Sequence, residues 1–309
     1  MQERDTATHS SARRIGMVVL ATITTIALTN CGAEEPPNRS EPRQPGDPQK
    51  VLDSATKHMN DAGTGSFATE VTGMGMTIKG EFDLNKPFVR QALTTRSPDF
   101  PNGFTVRSLT FKNEAFARVS AGPASKCWMR YDQSDAASAQ GVTDPNALPS
   151  DLMYSTPPAA EILKDPSARG FLKNTSTRIN ADVPLPAAFS AAMPKAAIAL
   201  AEKIGDEKIL APVVLTVVDG KYAEASYVGG DLLQSGDISA GDLRKAGLSG
   251  DGMSPKQAFD LLSSLEVRIR YGEFGQEVKI ERPKKDEIAD IDLATMGQND
   301  TATCKAAER

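Results

Sequence analysis

A nine-residue stretch from Met76 to Leu84 alternates between apolar and polar side chains. The apolar members are Met76, Ile78, Phe82 and Leu84, and the polar members are Thr77, Lys79, Glu81 and Asp83. This period of two predicts an antiparallel strand with one face in a core and the other in solvent. Residues 66–72 precede it across Gly73, Met74 and Gly75, which predicts a hairpin. The chain must therefore fold around a sheet.

Strand patterns recur along most of the chain. Further strands are predicted at residues 89–95, 104–111, 115–120, 128–131, 177–183, 212–218, 221–228, 265–271 and 277–281. The pair Asp219 and Gly220 is typical of a two-residue hairpin turn.

Helical patterns are fewer. They predict helices at residues 51–62 with Gly63 as the stop, 159–163, 187–204 with an interruption at Pro194, and 254–262 with Ser254 as the cap. The glycines and aspartates of residues 229–252 predict turns. Strands with one apolar face and few helices to cover it predict an α+β fold, in which a sheet curls around helices. The concave side is then either filled or left open for an apolar ligand.

Residues 1–30 have the layout of a secretory leader. Arg13 and Arg14 precede an apolar run over 15–28, which is shorter than the roughly 20 residues needed to cross a bilayer. Residues 28–31 (LTNC) resemble a lipobox, in which Cys31 would be acylated and become the new N-terminus. Asn30 stands where alanine, glycine or serine is usual. An uncleaved signal anchor is the alternative, and both predict a domain held at the membrane outside the cytoplasm.

The segment after Cys31 is predicted to be a tether. Residues 32–48 contain five prolines and no large apolar residue, a composition that cannot bury enough surface to order itself. The predicted organisation is a signal peptide (1–30), a flexible tether (31–49), a folded domain (50–292) and a C-terminal tail (293–309).

Charge and cysteine content restrict the partners. The formal net charge is −5 and the sequence shows no basic run, which argues against nucleic acid and against electrostatic binding to anionic lipid surfaces. If Cys31 carries lipid, Cys127 and Cys304 remain as a pair in an oxidising compartment. A disulfide between them is the expectation, with two free thiols as the alternative.

The sequence lacks the common catalytic patterns. After the leader it has one histidine, His58, and it contains no G-x-S-x-G elbow, no C-x-x-C pair and no calcium-loop spacing around Asp286. We therefore expect no enzyme activity, no metal and no cofactor.

Apolar positions of the predicted strands are candidates for lining a ligand cavity. They are Met76, Ile78, Phe82, Phe104, Val106, Leu215, Val267 and Ile269. Met74 and Met76 would suit an adaptable apolar lining. The same residues would equally suit an ordinary filled core.

Three stretches carry a family resemblance. They are residues 65–72 (GSFATEVT) with the strand end GEFD at 80–83, residues 267–280 (VRIRYGEFGQEVKI), and Pro283 followed by DEIAD at 286–290. With them the chain resembles the actinobacterial LppX/LprG-type lipoproteins, which are related in fold to the LolA and LolB carriers. The resemblance covers roughly residues 50–292.

The resemblance implies a curved antiparallel sheet forming a half-open barrel, with helices packed in its concave side. It also implies a membrane-anchored extracytoplasmic lipoprotein that binds or carries a lipid, lipoglycan or other acylated molecule in an apolar cavity. The alternative is a lipoprotein of the same fold with a filled core, which binds an envelope protein or acts as a sensor.

Overall fold

Twelve strands form one mixed sheet in a computed structural model. It describes residues 46–86, 88–97, 100–111, 114–119, 127–132, 158–170, 177–205, 209–248, 253–292 and 304–305. The strands are β1 (Thr64–Thr72), β2 (Met76–Asp83), β3 (Phe88–Ser97), β4 (Phe100–Phe111), β5 (Glu114–Val119), β6 (Trp128–Asp132), β7 (Ser167–Ala168), β8 (Arg178–Pro184), β9 (Leu210–Val218), β10 (Lys221–Val228), β11 (Glu266–Gly272) and β12 (Ile288–Asp292).

The strand order is β12-β6-β5-β4-β3-β2-β1-β11-β10-β9-β8-β7. Neighbours pair antiparallel except β12, which runs parallel to β6. The expectation of a purely antiparallel sheet is wrong at this edge, because the chain leaves β11 and crosses to the far edge before it pairs. In the described part of the chain, β12 and β7 remain the two edges, so the sheet is not closed into a barrel.

Eight α-helices accompany the strands in the described residues, and a short 3-10 helix (Lys285–Glu287) precedes β12. The α-helices are α1 (Pro48–Ala62), α2 (Pro158–Glu161), α3 (Leu185–Ala192), α4 (Pro194–Ala199), α5 (Ala201–Ile204), α6 (Gly229–Ser235), α7 (Ala240–Lys245) and α8 (Pro255–Ser264). The architecture is therefore α+β, as the sequence predicted.

Local sequence signals explain the ends of these helices. Asp47 caps α1 by accepting a hydrogen bond from the Gln49 amide, and Gly63 ends it at φ 67°. Ser254 caps α8 in a reciprocal capping box with Gln257. The predicted break at Pro194 is confirmed, because α3 ends at Ala192 and α4 begins at Pro194.

Two local predictions are wrong. Residues 229–252 hold α6 and α7 rather than turns alone, and the capping box between Ser239 and Asp242 starts α7. Residues 277–281 are not a strand. They belong to residues 273–287, here called the strap, which connects β11 to β12.

The helices pack on one face of the sheet, here called the helical face. In β1, Phe67, Thr69 and Val71 are buried on this side, whereas Ser66 and Ala68 point to the opposite outer face. The main helix–strand contacts of the described residues join α1, α3 and α6 to β1 and β7–β10. The hydrophobic core lies in this layer.

Three buried tyrosines fasten the sheet to the helices. The Tyr222 hydroxyl donates to the Leu52 carbonyl of α1 at 3.2 Å, and the Tyr227 hydroxyl donates to Ala188 of α3 at 2.8 Å. The Tyr271 hydroxyl donates to Ala159 of α2 at 2.6 Å. Burial raises the pKa of Tyr222 to about 12 and raises the pKa values of Tyr227 and Tyr271 as well. All three hydroxyls therefore remain neutral donors at ordinary pH.

The strap crosses the outer face. It starts beside β1, where the Thr64 hydroxyl donates to the Gln276 carbonyl at 2.7 Å. Ile280 and Ile288 then pack on an apolar cluster made of Leu109, Phe111, Phe116 and Trp128 with Phe88. Arg282 lies over the Phe111 ring and pairs with Glu114 at 2.6 Å. A second apolar layer thus lies on the side of the sheet opposite the helices.

Candidate ligand-binding site

Most of the predicted cavity-lining residues lie in the packed core. Ile78, Phe82, Leu215, Val267 and Ile269 are at most 8% exposed and belong to one cluster with helix residues such as Leu52 and Phe189. Their side chains are thus buried in the same core as residues of the protein's own helices. The filled interpretation of these positions, which the sequence left open, therefore matches their packing.

The other three predicted lining residues are Met76 on β2 and Phe104 and Val106 on β4. Met76 is partly buried and packs against the edge of the core cluster. Val106 is buried on the helical face of β4, and Phe104 lies in the same strand. None of the main helix–strand contacts among the described residues involves β3 to β6.

A large cleft among the described residues lies on the outer face, which the sequence analysis did not single out. It has a volume of about 800 Å³ between the strands β1 to β5 and the strap. Ala68 and Ala92 form part of its floor, Trp128 closes one end, and Lys279 and Ile280 of the strap border it. This volume lies within the usual range for small-molecule sites.

The register places the charged lining residues in one row. Ala68 pairs with Lys79, Lys79 with Ala92, Ala92 with Arg107, and Arg107 with Arg118. Adjacent strands lie about 4.8 Å apart, so Lys79 and Arg107 lie on either side of the short Ala92 side chain. Both long cationic side chains can reach over that gap.

The cleft carries an excess of positive charge. Six lining residues are basic and two are acidic; they are Lys79, Arg90, Arg107, Arg118, Arg270 and Lys279 against Glu81 and Glu281. The whole chain has a net charge of −5. Positive charge is therefore concentrated at this place on an acidic protein.

Most cations of the outer face have a carboxylate partner. Arg90 pairs with Glu81, Arg270 with Glu70 at 3.1 Å, and Arg268 with Glu224 at 3.5 Å. By contrast, within the described ranges Lys79, Arg107 and Arg118 have no carboxylate at ion-pairing distance. The unpaired cations are thus the three in the central row.

Two of these cations face each other directly. Arg107 of β4 is opposite Arg118 of β5, and like charges in that position destabilise a sheet. The Arg118 guanidinium lies 4.7 Å from the centre of the Trp128 ring, which holds it by a cation–π contact. Arg107 is exposed. The pair is placed to share a negatively charged group between two strands.

A second outer-face cleft provides a comparison. Its volume is about 570 Å³, and its charged lining is balanced: Arg169, Arg178 and Arg268 against Glu70, Asp231 and Glu266. Arg169 pairs with Asp182. The first cleft is therefore larger and carries an excess of positive charge that the second lacks.

The described residues offer little reactive chemistry. No group of three or more histidine, cysteine or carboxylate side chains among them could hold a metal ion. His58 is partly buried and packs edge-to-face on Phe274, with 6.3 Å between ring centres. In these ranges, no helix is long and apolar enough to cross a bilayer.

The structure brings the two later cysteines together. Cys127 and Cys304 form a disulfide with a Cα–Cα distance of 5.9 Å across a separation of 177 residues. The bond joins the end of the chain to the start of β6. Cys31, the predicted lipidation site, lies outside the described residues.

Sequence reasoning missed the basic row for a simple reason. Lys79, Arg107 and Arg118 lie on different strands, and each resembles an ordinary solvent-facing residue of an alternating pattern. Only the pairing register makes them neighbours. The signal available in sequence was weaker: Arg107 and Arg118 lie at polar positions of successive strands joined by a short turn.

The chain matches no protein-family model and no curated protein at a significant level.

Proposed function

We propose that this protein is a membrane-tethered extracytoplasmic lipoprotein that binds a ligand without converting it, through the outer-face cleft of a sheet whose interior is filled. In this proposal the sheet is a half-open barrel of the LppX/LprG type, and the helices occupy its concave side. The observation that carries it is the contrast between the two faces. Ile78, Phe82 and Ile269 are buried in the core cluster that includes residues of the helices, whereas the cleft beside Arg107 is open.

The tether and the leader support the location. The LTNC sequence ending at Cys31 and the proline-rich residues 32–46 suit an acyl anchor followed by a flexible connection. The predicted tether ends earlier than residue 49, because Asp47 caps helix α1 and Pro48 is its first residue. A domain fixed by its N-terminus can present an exposed cleft to molecules of the envelope. The ligand or partner would come from that layer, either as a small molecule or as part of another envelope protein.

The scarcity of reactive groups supports binding rather than catalysis. The cleft offers guanidinium and ammonium groups, an indole ring and small apolar side chains. These groups recognise a ligand and do not supply an activated nucleophile or a paired acid and base.

A second candidate is the lipid or lipoglycan carrier with an apolar cavity. The main helix contacts of the described residues fall on β1 and β7–β10, so such a cavity would lie on the helical face near β4 to β6, where Val106 and Met129 are themselves buried. Each buried methylene of an acyl chain would contribute about 0.8 kcal/mol.

One experiment separates the two candidates. The full chain is expressed in a host that acylates lipoproteins, purified in mild detergent at high salt, and extracted with organic solvent for mass spectrometry. The filled-core proposal expects no stoichiometric lipid besides the acyl groups on Cys31. One lipid per chain that is retained equally by the parent and by Arg107→Gln, which alters the outer-face cleft, would overturn it in favour of the carrier.

A separate mass measurement tests whether the chain is acylated at Cys31. Intact-mass analysis of the purified chain should show a mature N-terminus at Cys31 with acyl groups attached. A chain that begins elsewhere without acyl mass would contradict the anchored lipoprotein.

A further inference from the structure

We infer that the outer-face cleft binds a phosphate-bearing molecule, with the phosphate held between Lys79, Arg107 and Arg118. This inference rests on the proposed use of the cleft as the binding site and adds the chemical class of the ligand. The carrying observation is a row of three cations that lack carboxylate partners within the described residues.

The geometry favours a group with several terminal oxygens. Arg107 and Arg118 are directly opposed on adjacent strands, so their guanidinium groups can approach one group from neighbouring positions. Lys79 reaches the same space from the other side of Ala92. A phosphate can accept hydrogen bonds from all three, and guanidinium is matched to it in a bidentate manner.

The charges of the cleft also favour a negatively charged ligand. Opposed arginines repel each other, and a bound anion would replace that repulsion with attraction. The acidic residues of the cleft do not provide this neutralisation. Glu81 is already paired with Arg90, and Glu281 lies on the strap rather than in the row.

The surroundings of the row favour a molecule larger than the ion alone. The cleft's 800 Å³ exceeds what one phosphate fills, and Trp128 and Ile280 give it an apolar end. An indole ring beside cations suits a phosphorylated sugar or the phosphate headgroup of a lipid. Both sources share the phosphate chemistry, and the experiment below distinguishes them.

The chain provides its own reporter. Trp128 is its one tryptophan, and it lies against the Arg118 guanidinium at the end of the cleft. A ligand that engages Arg118 changes the environment of the indole. Tryptophan fluorescence of the full chain therefore reports on this cleft alone.

The test titrates the detergent-solubilised full chain with sodium phosphate and with glycerol phosphate, at ionic strength held constant with sodium chloride. We expect a saturable change in Trp128 fluorescence. Arg107→Gln and Lys79→Gln should each weaken the apparent affinity about tenfold or more, because hydrogen bonds between charged groups are lost. Arg107→Lys, which keeps the charge and loses the bidentate fork, should fall between the parent and Arg107→Gln.

Arg244→Gln is the matched control, because Arg244 is exposed on α7, away from the cleft. It removes the same charge and should leave the titration unchanged. A response to phosphate no larger than the response to chloride, or equal binding by the parent and Arg107→Gln, would overturn the inference. Saturation by a glutamate-rich peptide without any response to phosphate esters would also overturn it.

The source of the phosphate is read from a second arm. The full chain is reconstituted in phosphatidylcholine vesicles with and without phosphatidylglycerol. A Trp128 response to phosphatidylglycerol that Arg107→Gln removes assigns the site to a lipid headgroup. A response to glycerol phosphate with none to the lipid assigns it to a soluble ester.

The two proposals can fail separately. A stoichiometric lipid retained in extracts of both the parent and Arg107→Gln would overturn the filled-core function and leave the phosphate site standing. If no lipid is retained and the phosphate titration is flat, the filled-core function stands and the phosphate site is overturned.

Discussion

The hydroxyl of Tyr271 on β11 donates a hydrogen bond of 2.6 Å to the carbonyl oxygen of Ala159 on α2, across 112 residues of sequence. Helix α2 has four residues, too short to be stable by itself. Its position on the helical face therefore depends on contacts of this kind.

Tyr271→Phe should lower the free energy of unfolding by about 1–3 kcal/mol, because the Ala159 carbonyl is left buried without its donor. Chemical denaturation monitored by circular dichroism measures the change. Ser264→Ala is a control, because it removes a hydroxyl that is exposed. It should cost less than about 0.5 kcal/mol. Equal stability of Tyr271→Phe and the parent would show that the hydrogen bond contributes nothing.

Gly80 is required by a close approach on the helical face. A Cβ atom there would lie 2.6 Å from ring atoms of Phe67 and 2.8 Å from the Arg90 carbonyl oxygen. Gly80→Ala should therefore destabilise the fold by about 1–3 kcal/mol through overpacking. The midpoint of thermal unfolding measures it.

Gly241 is the matched control for this substitution. In helix α7 its nearest neighbour to a new Cβ is the Ser239 hydroxyl at 3.5 Å, an ordinary contact. Gly241→Ala should raise stability by roughly 0.5–1 kcal/mol, since alanine favours helix. A similar loss in both variants would contradict the packing argument at Gly80.

Much of the local structure could be predicted, because its signals are local. The alternation over Met76–Asp83, the Asp219 and Gly220 turn, and the Ser254 cap each specify an element without reference to distant residues. The helix predicted to end at Gly63 does so for the same reason.

Features that depend on contacts between residues distant in the chain could not be predicted from the sequence. The parallel pairing of β12 with β6 requires the chain to cross the sheet after β11. No sequence pattern within β12 indicates this crossing. Residues 277–281 have a strand-like alternation, but they pack Ile280 on the outer-face cluster rather than pair with β11. The row that includes Lys79 and Arg107 likewise arises only from strand register.

The lowered pKa of Asp242 predicts that the stability of the fold depends on pH in the acid range. The Ser239 hydroxyl and amide, at 2.6 and 2.9 Å, and then Lys203 at 3.1 Å hold the pKa of this carboxyl well below its usual value of about 4. Because the folded pKa is lower than the unfolded one, the carboxylate stabilises the fold above about pH 4. This stabilisation is lost as the pH falls through the folded pKa.

The variant Asp242→Asn tests this linkage. Melting temperatures of parent and variant should differ by a constant amount above pH 5, and the difference should shrink between about pH 4 and pH 2. Asp260→Asn, on an exposed ion pair with Lys256, is the control. A gap between Asp242→Asn and the parent that stays constant down to pH 2 would contradict the assignment.

The disulfide should stabilise the edge of the sheet at which β12 pairs with β6. The double variant Cys127→Ser with Cys304→Ser should lose about 2–5 kcal/mol. Amide exchange should quicken in β12 and the strap more than in α1, because Cys127 directly precedes β6, to which β12 pairs. Peptide mapping without reductant should recover one linked fragment; alkylation of both cysteines in the unreduced chain would disprove the bond.

Cys31→Ala tests the anchor. Without a thiol to acylate, the chain should either accumulate as unprocessed precursor or be released into the medium, as seen by fractionation and intact mass. Asn30→Ala is the matched variant, because it supplies a residue usual before the lipobox cysteine. It should keep the chain on the membrane and speed its processing. Membrane retention of Cys31→Ala with normal cleavage would show that another feature of the leader holds the protein.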